Sequence, residues 1–487
     1  MITVKNGVPD PKVKEAVIFP FDNVSFPYST GLKLTLIQGK TPGTANPIVL
    51  REGPDGSPDS RQVRFYGTII PIDGELRMWY LATAKDDTAG QRICYATSKD
   101  GINWEKPNLG LVEYNGNKNN NLVEMKGKNP DPGNAETNAL PVLYDPEDPD
   151  PNRRFKLGME AGRYGNNFAV AFSPDGLRWT EYEGNPVAPP MEHTGLIKFN
   201  GCYYVNAQDE FGSHGSQHGR SRKLVTFASY DFINWTQASC LGLRRDPIEP
   251  NPTYSEWNVQ EEVHLGAGLW DRGNVILGIY DIWHGTPTGD RKDITMDLGL
   301  VVTNDVLHVR EPVPDFKIVP AYEEAEQDKS SGVTLSHGQG MANVGDKTFL
   351  WYELWGGGNG IRLASWERDR IGYFQIFKPD FVLCPLPEPH AITCPIETDN
   401  NKNEITVNVD GLSEHCSIIV ELLDERFQPI PGYSGNDCIP LSKSGLKETI
   451  TWKNHKDTSR INGAFRMKVS FSGIRPEDAK LYALYVS

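Results

Sequence analysis

Short apolar or alternating runs, broken by Gly, Asp, Asn and Pro, fill most of this 487-residue chain. Alternation with a period of two, bounded by turn residues, predicts β-strands. Val63–Ile70 is such a run, Ile72-Asp73-Gly74-Glu75 a turn, and Leu76–Thr83 and Arg92–Ser98 the next two strands. The pattern returns as Ala139–Asp145, Arg154–Glu160 and Asn167–Ser173, then as Gly195–Phe199, Tyr203–Gln208 and Leu224–Ser229. It returns twice more, as Glu262–Leu269, Val275–Asp281 and Asp297–Thr303, and as Val333–Val344, Thr348–Glu353 and Ile361–Ser365.

A strip of sequence punctuates these groups. Ser98-Lys99-Asp100-Gly101-Ile102-Asn103-Trp104 recurs as Ser173-Pro174-Asp175-Gly176-Leu177-Arg178-Trp179 and, without glycine, as Ser229-Tyr230-Asp231-Phe232-Ile233-Asn234-Trp235. A worn copy stands at Thr303–Val309 and a remnant at Asp369–Tyr373. Self-similarity at long, roughly even intervals marks a repeat architecture. A strand ending in Ser, an Asp-Gly turn and a Trp opening the next strand read as a hairpin, with Gly supplying positive φ. The strip is therefore read as structural. Five repeats of four strands around an axis make a five-bladed β-propeller.

Prolines cluster at Pro385, Pro387, Pro389 and Pro395. The runs beyond them, Glu404–Val409, Ser417–Leu423, Glu448–Trp452, Phe465–Phe471 and Leu481–Val486, predict a small β-sandwich. The expected division is an all-β chain with a propeller over 1–388 and a sandwich over 396–487. Residues 1–60 are expected to run irregularly along the outside of the propeller, and Tyr322–Asp328 to form a short helix.

Composition narrows the function. The 47 Gly, 36 Pro, 11 Trp and 19 Tyr suit short strands and tight turns. A net charge of −15 argues against a nucleic-acid partner. No apolar run is long enough for a transmembrane helix, so no membrane partner is expected. The opening MITVKNGVPDPK lacks an apolar signal core, which predicts a cytoplasmic protein, or a periplasmic or secreted one if a leader was removed. Seven scattered Cys without close pairs predict reduced thiols and no zinc site.

Strand direction separates two faces. The short Gly/Asp turns and the strip share one, and the long loops with the entries to the first strands share the other. Binding residues concentrate on loops held by a rigid scaffold, so the pocket is expected on the second face. Blade one places Arg61, Arg64, Asp86 and Asp87 there; blade two places Glu136, Glu160, Arg163 and Tyr164. Blade three adds Glu192, His193 and the loop from Asp209 to Arg220, with His214 and His218. Blade four adds Glu261, Glu262, His264, Asp281, Trp283, His284 and Asp297; blade five adds His337, Gln339, Glu353 and Trp355. Aromatic faces and carboxylates in one funnel suit a sugar, which stacks on rings while acids grip hydroxyls or exchange protons. Glu160 and Asp281 also read as salt-bridged structural acids, and Trp283 and Trp355 as core.

The repeats at Tyr95–Trp104 and Ala171–Trp179, with Asp148–Lys156, resemble a bacterial group of glycosidase-like five-bladed propellers related to glycoside hydrolase families 32 and 43. The segment Asp424–Leu441, with Pro431–Cys438, resembles the C-terminal sandwich of the same group. The resemblance implies a fold and a reaction class but no catalytic triad. The Asn-Asp-Pro-Asn nucleophile motif and the Glu-Cys acid/base motif of those families are absent, and Arg245–Pro247 lies in the wrong blade for their Arg-Asp-Pro motif.

The expectation is thus a glycoside hydrolase acting on a terminal sugar in a central pocket. Glu160, Asp209 and Glu262 are the candidate catalytic carboxylates, with Glu262 as a general acid raised by burial. Arg64, Arg163, His214, His218, Trp283, His284, His337 and Trp355 would orient substrate. No cofactor is expected, although a structural divalent cation in the channel stays open. A non-catalytic sugar-binding propeller and a lyase using the His-rich loop are the alternatives.

Overall fold

The computed structural model describes residues 1–7, 9–40, 47–85, 90–128, 137–209, 222–245, 261–321, 332–355, 360–377, 388–399 and 402–487. The described residues form β-strands joined by turns, with a few single-turn 3-10 helices and no α-helix. The expected helix at 322–328 lies outside them.

Five groups of mainly antiparallel strands make the blades, and those of blades five and one join in one seven-stranded sheet. Blade one is Gln62–Ile72, Glu75–Thr83 and Arg92–Ser98. Blade two opens on two short strands, Thr137–Ala139 and Val142–Tyr144, and continues through Phe155–Ala161, Asn167–Ser173 and Arg178–Glu181. Blade three is Glu192–Phe199, Cys202–Asp209, Lys223–Ser229 and Cys240–Leu243. Blade four is Glu262–Asp271, Ile276–His284, Thr295–Thr303 and Lys317–Val319. Blade five is Leu335–Val344, Lys347–Leu354 and Ile361–Glu367. The first strands neighbour one another in order, and that of blade five returns to blade one, where Gln339 pairs with Thr68. The apolar faces of successive blades bury one another in continuous cores.

The strip joins neighbouring blades. In its first copy the Ser98 hydroxyl accepts from the Gly101 N–H at 2.8 Å, and Asp100 Oδ1 accepts from the N–H groups of Ile102 and Asn103 at 2.9 and 2.7 Å. The second and third copies repeat these bonds. The turn exposes one carbonyl that a tryptophan of the preceding blade reaches. Trp351 Nε1 donates to Gly101 O at 2.9 Å, and Trp79 Nε1 to Gly176 O at 2.7 Å. The remnant differs: Asp369 itself has positive φ, 59°, and so stands where glycine stands in the first two copies.

The two ends of the chain depart from the expected division. Ile48–Leu50 is not an outer irregularity but the outermost strand of blade five, pairing with Ile361 and Arg362. Ile2–Val4, Ala16–Ile18, Tyr28–Thr30 and Leu32–Leu36 join the C-terminal strands instead of the propeller's outside. They pair with Ile396–Thr398, Lys480–Val486, His390–Ile392 and Gly372–Ile376 respectively. The second module is therefore two sheets drawn from both ends of the chain around one core. Burial explains the arrangement, since Ile2, Val4, Ala16 and Ile18 supply apolar faces that the strands after 396 leave uncovered. A second apolar cluster runs from Val17, Phe19 and Phe21 through blades four and five to Tyr485, so the modules share a core. Asp369 pins it, accepting from both Arg272 amino groups, from Asn343 Nδ2 at 3.0 Å and from the Tyr485 hydroxyl at 2.8 Å.

The strip's glycines can be tested against a matched control. Gly176 and Gly74 share φ of 78°, but a Cβ at Gly176 falls 2.7 Å from the Trp79 ring, whereas one at Gly74 meets nothing within 4 Å. We predict that Gly74→Ala costs only the backbone strain of about 1–2 kcal/mol. Gly176→Ala should cost more, because it also wedges two blades apart. Denaturant unfolding of both variants measures the difference.

Candidate functional site

Every first strand breaks register near its middle. The pairing jumps between Arg64 and Thr68, His193 and Gly195, His264 and Ala267, and His337 and Met341. In blade two Leu140 and Pro141 interrupt the strand altogether. Such bulges re-aim side chains, and here they turn polar groups inward at one level.

The most enclosed of these groups is Asp281, fully buried on the second strand of blade four. His264 Nδ1 lies 2.8 Å from Asp281 Oδ2, His337 Nδ1 lies 2.5 Å from Oδ1, and the Ser336 hydroxyl donates to Oδ2 at 3.0 Å. His337 Nε2 in turn lies 2.9 Å from the Thr194 hydroxyl, which donates to Leu265 O at 3.2 Å. Blades three, four and five are thus joined by one buried polar chain. Burial pushes the Asp281 carboxyl up, but the charge of His337 and the bonds from both histidines outweigh it and hold Asp281 below its ordinary range.

Glu353, on the second strand of blade five, behaves oppositely. It is 1% exposed, accepts the Phe65 N–H and lies 3.5 Å from Arg64 Nε. Burial raises its carboxyl, Arg64 offsets this only in part, and the charge of Asp281 adds to the rise. Tyr66 lies in the same field, influenced by Arg64, Glu353, Glu192 and Asp281. Gln208 ties the floor together, since its amide donates to Glu192 and accepts the Leu265 N–H at 2.8 Å.

An aromatic wall flanks the acids. Trp283 is 1% exposed, with the Arg222 guanidinium 4.9 Å from its ring and its buried indole Nε1 without a partner among the described residues. The His264 ring lies 5.6 Å from Trp283 and 6.2 Å from Trp355, and Arg291 sits over Trp355 at 5.6 Å. Glu262, buried beside this wall, has Arg222 Nε at 3.8 Å.

Of the residues read from the sequence, Arg64, Trp283, His337 and Trp355 meet around the axis, with Glu262 beside them. Asp209 ends the second strand of blade three opposite Lys223, and Glu160 pairs across to Ala139 and Phe168 in blade two. Arg163 donates through Nε to buried Glu181 at 2.8 Å, and Glu181 also accepts the Tyr164 hydroxyl at 2.7 Å. His284 is held at the rim between Glu261 and Asp297 at 2.9 and 2.7 Å. His214, His218, Asp86, Asp87 and Glu136 lie outside the described residues.

The sequence places Asp281 and Glu353 on this face, Asp281 also as a salt-bridged structural acid, and does not single out Tyr66, Thr194 or Gln208. The usable signal was glycine inside strand-like runs, at Gly67, Gly195, Gly266 and Gly338, which marks bulges and close backbone approach. Among the described residues no group of three His, Cys, Asp or Glu side chains is arranged to hold a metal ion. No described helix is long and apolar enough to cross a membrane.

The rim histidine gives a pH prediction. Burial opposes its charge, but Asp297 and Glu261 outweigh burial and raise His284 from 6.5 to about 9. Its charge therefore stabilises the fold fully below about 6.5, and that contribution is lost as pH rises through about 9. NMR titration of His284 in the wild type should find it charged at neutral pH. Asp297→Asn should lower its midpoint.

No family model and no curated protein matches this chain. Among solved structures it is similar to a glycoside hydrolase of the mannoside phosphorylase family 130, whose hydrolases target β-1,2 mannosidic linkages in Candida mannan. The identity is 17%, covering 72% of this chain and 98% of that one, with a TM-score of 0.45. A glycosyl hydrolase from Bacteroides ovatus shares 16% identity over 69% of this chain and 95% of its own, with a TM-score of 0.43. A fructofuranosidase from Schwanniomyces occidentalis shares 10% over 93% and 99%, with a TM-score of 0.38. At these values the likeness assigns neither a substrate nor the role of any residue.

Proposed function

We propose that this protein is a glycoside hydrolase that takes a terminal sugar into the axial site. The observation that carries this reading is the opposed tuning of two buried carboxyls in one cluster, Asp281 held down and Glu353 pushed up. Titratable groups driven apart by their surroundings are the signature of an acid paired with fixed charge. In this reading Glu353 keeps its proton for the leaving-group oxygen. Asp281 stays ionised and orients His264 toward the sugar, while His337 braces Asp281 against Thr194. Glu262, beside Arg222 and under Trp283, is the second carboxylate, as base or nucleophile. Trp355 supplies the apolar platform, backed by the buried Trp283. This moves the general acid from Glu262, where the sequence placed it, to Glu353. The two carboxyls' separation in the complex with substrate would decide retention or inversion.

Leaving-group dependence tests the roles. Purified protein is screened on aryl-glycosides and on oligosaccharides of the same sugar. Glu353→Gln should lose about 10²-fold or more on the oligosaccharide, whose leaving group needs a proton, and much less on an activated aryl-glycoside. Glu262→Gln should fail on both. Wild-type activity should fall on the alkaline side as Glu353 loses its proton, at a pH above the ordinary carboxyl value. If Glu353→Gln keeps full activity while Glu160→Gln or Asp209→Asn loses it, the acid lies in blades two or three instead. Sugar binding without turnover of any glycoside would overturn the hydrolase reading.

A further inference from the structure

Two polar groups on the bulge of blade one find no hydrogen-bond partner among the described residues. They are the Tyr66 hydroxyl and Arg64 Nη2, both buried, with Tyr66 only 5% exposed. The side chains form one unit, the Arg64 guanidinium carbon lying 4.6 Å from the centre of the Tyr66 ring. Buried polar groups are rarely left unsatisfied, and each one calls for an explanation. Here two neighbouring groups share the condition, at the axial level where the bulges point inward.

Both groups are donors. The guanidinium is always charged. Burial raises the Tyr66 phenol well above its ordinary value despite Arg64, so its O–H is retained. A charged N–H beside a neutral O–H matches two oxygens of one anionic group. The acids nearby leave room for such a charge. Glu353, next to Arg64, is pushed toward its neutral form by burial. Asp281 is engaged by His264, His337 and Ser336, and Glu192 by the Gln208 amide.

We propose that Arg64 and Tyr66 form an oxyanion subsite at the propeller axis, filled by the carboxylate of an acidic sugar or by free phosphate. The acidic-sugar source rests on the reading of the axis as a sugar site; the binding of an oxyanion does not.

Calorimetry on the intact protein tests this without requiring turnover. The probes are glucuronate, galacturonate, their neutral counterparts glucose and galactose, and inorganic phosphate. At least one oxyanion should bind tenfold or more tightly than the neutral sugars. Tyr66→Phe should weaken that binding by roughly tenfold, the order expected for a bond to a charged group, with an unchanged unfolding curve. Arg64→Lys should weaken it as well, because the fork is lost although the charge remains. Glu192→Gln should tighten it by removing a competing anion. Phosphate binding alone identifies the free-phosphate source, and uronate binding the acidic sugar. Equal binding of charged and neutral sugars with no phosphate binding, or wild-type affinity in Tyr66→Phe, overturns the proposal. Uronate binding with no glycoside cleaved would leave the subsite standing and remove the hydrolase reading.

Discussion

Backbone contact at the axis is the constraint on which the rest depends. Where the first strands of blades three, four, five and one converge, they meet through glycine. A Cβ at Gly338 would strike the carbonyls of Gly67 and Phe65, one at Gly268 the carbonyl of Gly338, and one at Gly195 the carbonyl of Ala267. These contacts pass from blade three to four, to five, and back to one. Each lies in or within a residue of a break in strand register. The bulge that admits the close approach also frees its residues to point inward. The same bulges thus serve both the close packing of the first strands and the placing of the polar groups.

The site then inherits its electrostatics from that closure. Charged groups taken out of water must be paired or shift toward neutrality. Asp281 takes the first route through His264, His337 and Ser336. Glu353 takes the second, because Arg64 at 3.5 Å compensates its burial incompletely. Among the described residues, the same burial leaves donors of Tyr66, Arg64 and Trp283 without a partner.

Around this centre the chain holds itself shut from outside. Ile48–Leu50 completes the last blade, and the strands before it complete the second module. The two modules share the cluster from Phe19 and Phe21 to Tyr485 and the buried Asp369–Arg272 pair. Breaking a buried pair by removing one partner is costly because the other charge is stranded. Blades four and five, which carry His264, Asp281, His337 and Glu353, are also the blades that the second module braces.

The sequence by itself determined the strands, the turns and the five-fold repeat, because period-two apolarity and Asp-Gly turns are local signals. Strand direction alone put Arg64, His337, Asp281 and Glu353 on one face, and the structure brings Arg64 to Glu353 and His337 to Asp281. It put Arg163 there too, where Glu181 engages it. Three things only the tertiary structure decided. The N-terminal strands look irregular because each is short and acquires its partners across hundreds of residues. Tyr66 and Thr194 sit inside ordinary strand runs, and only the bulge turns them inward. Asp281 and Glu353 are indistinguishable as strand residues, and what separates them is their neighbours, two histidines from blades four and five for one, an incompletely compensating arginine from blade one for the other. Secondary structure depends on residues close in the chain, whereas charge state depends on residues close in space.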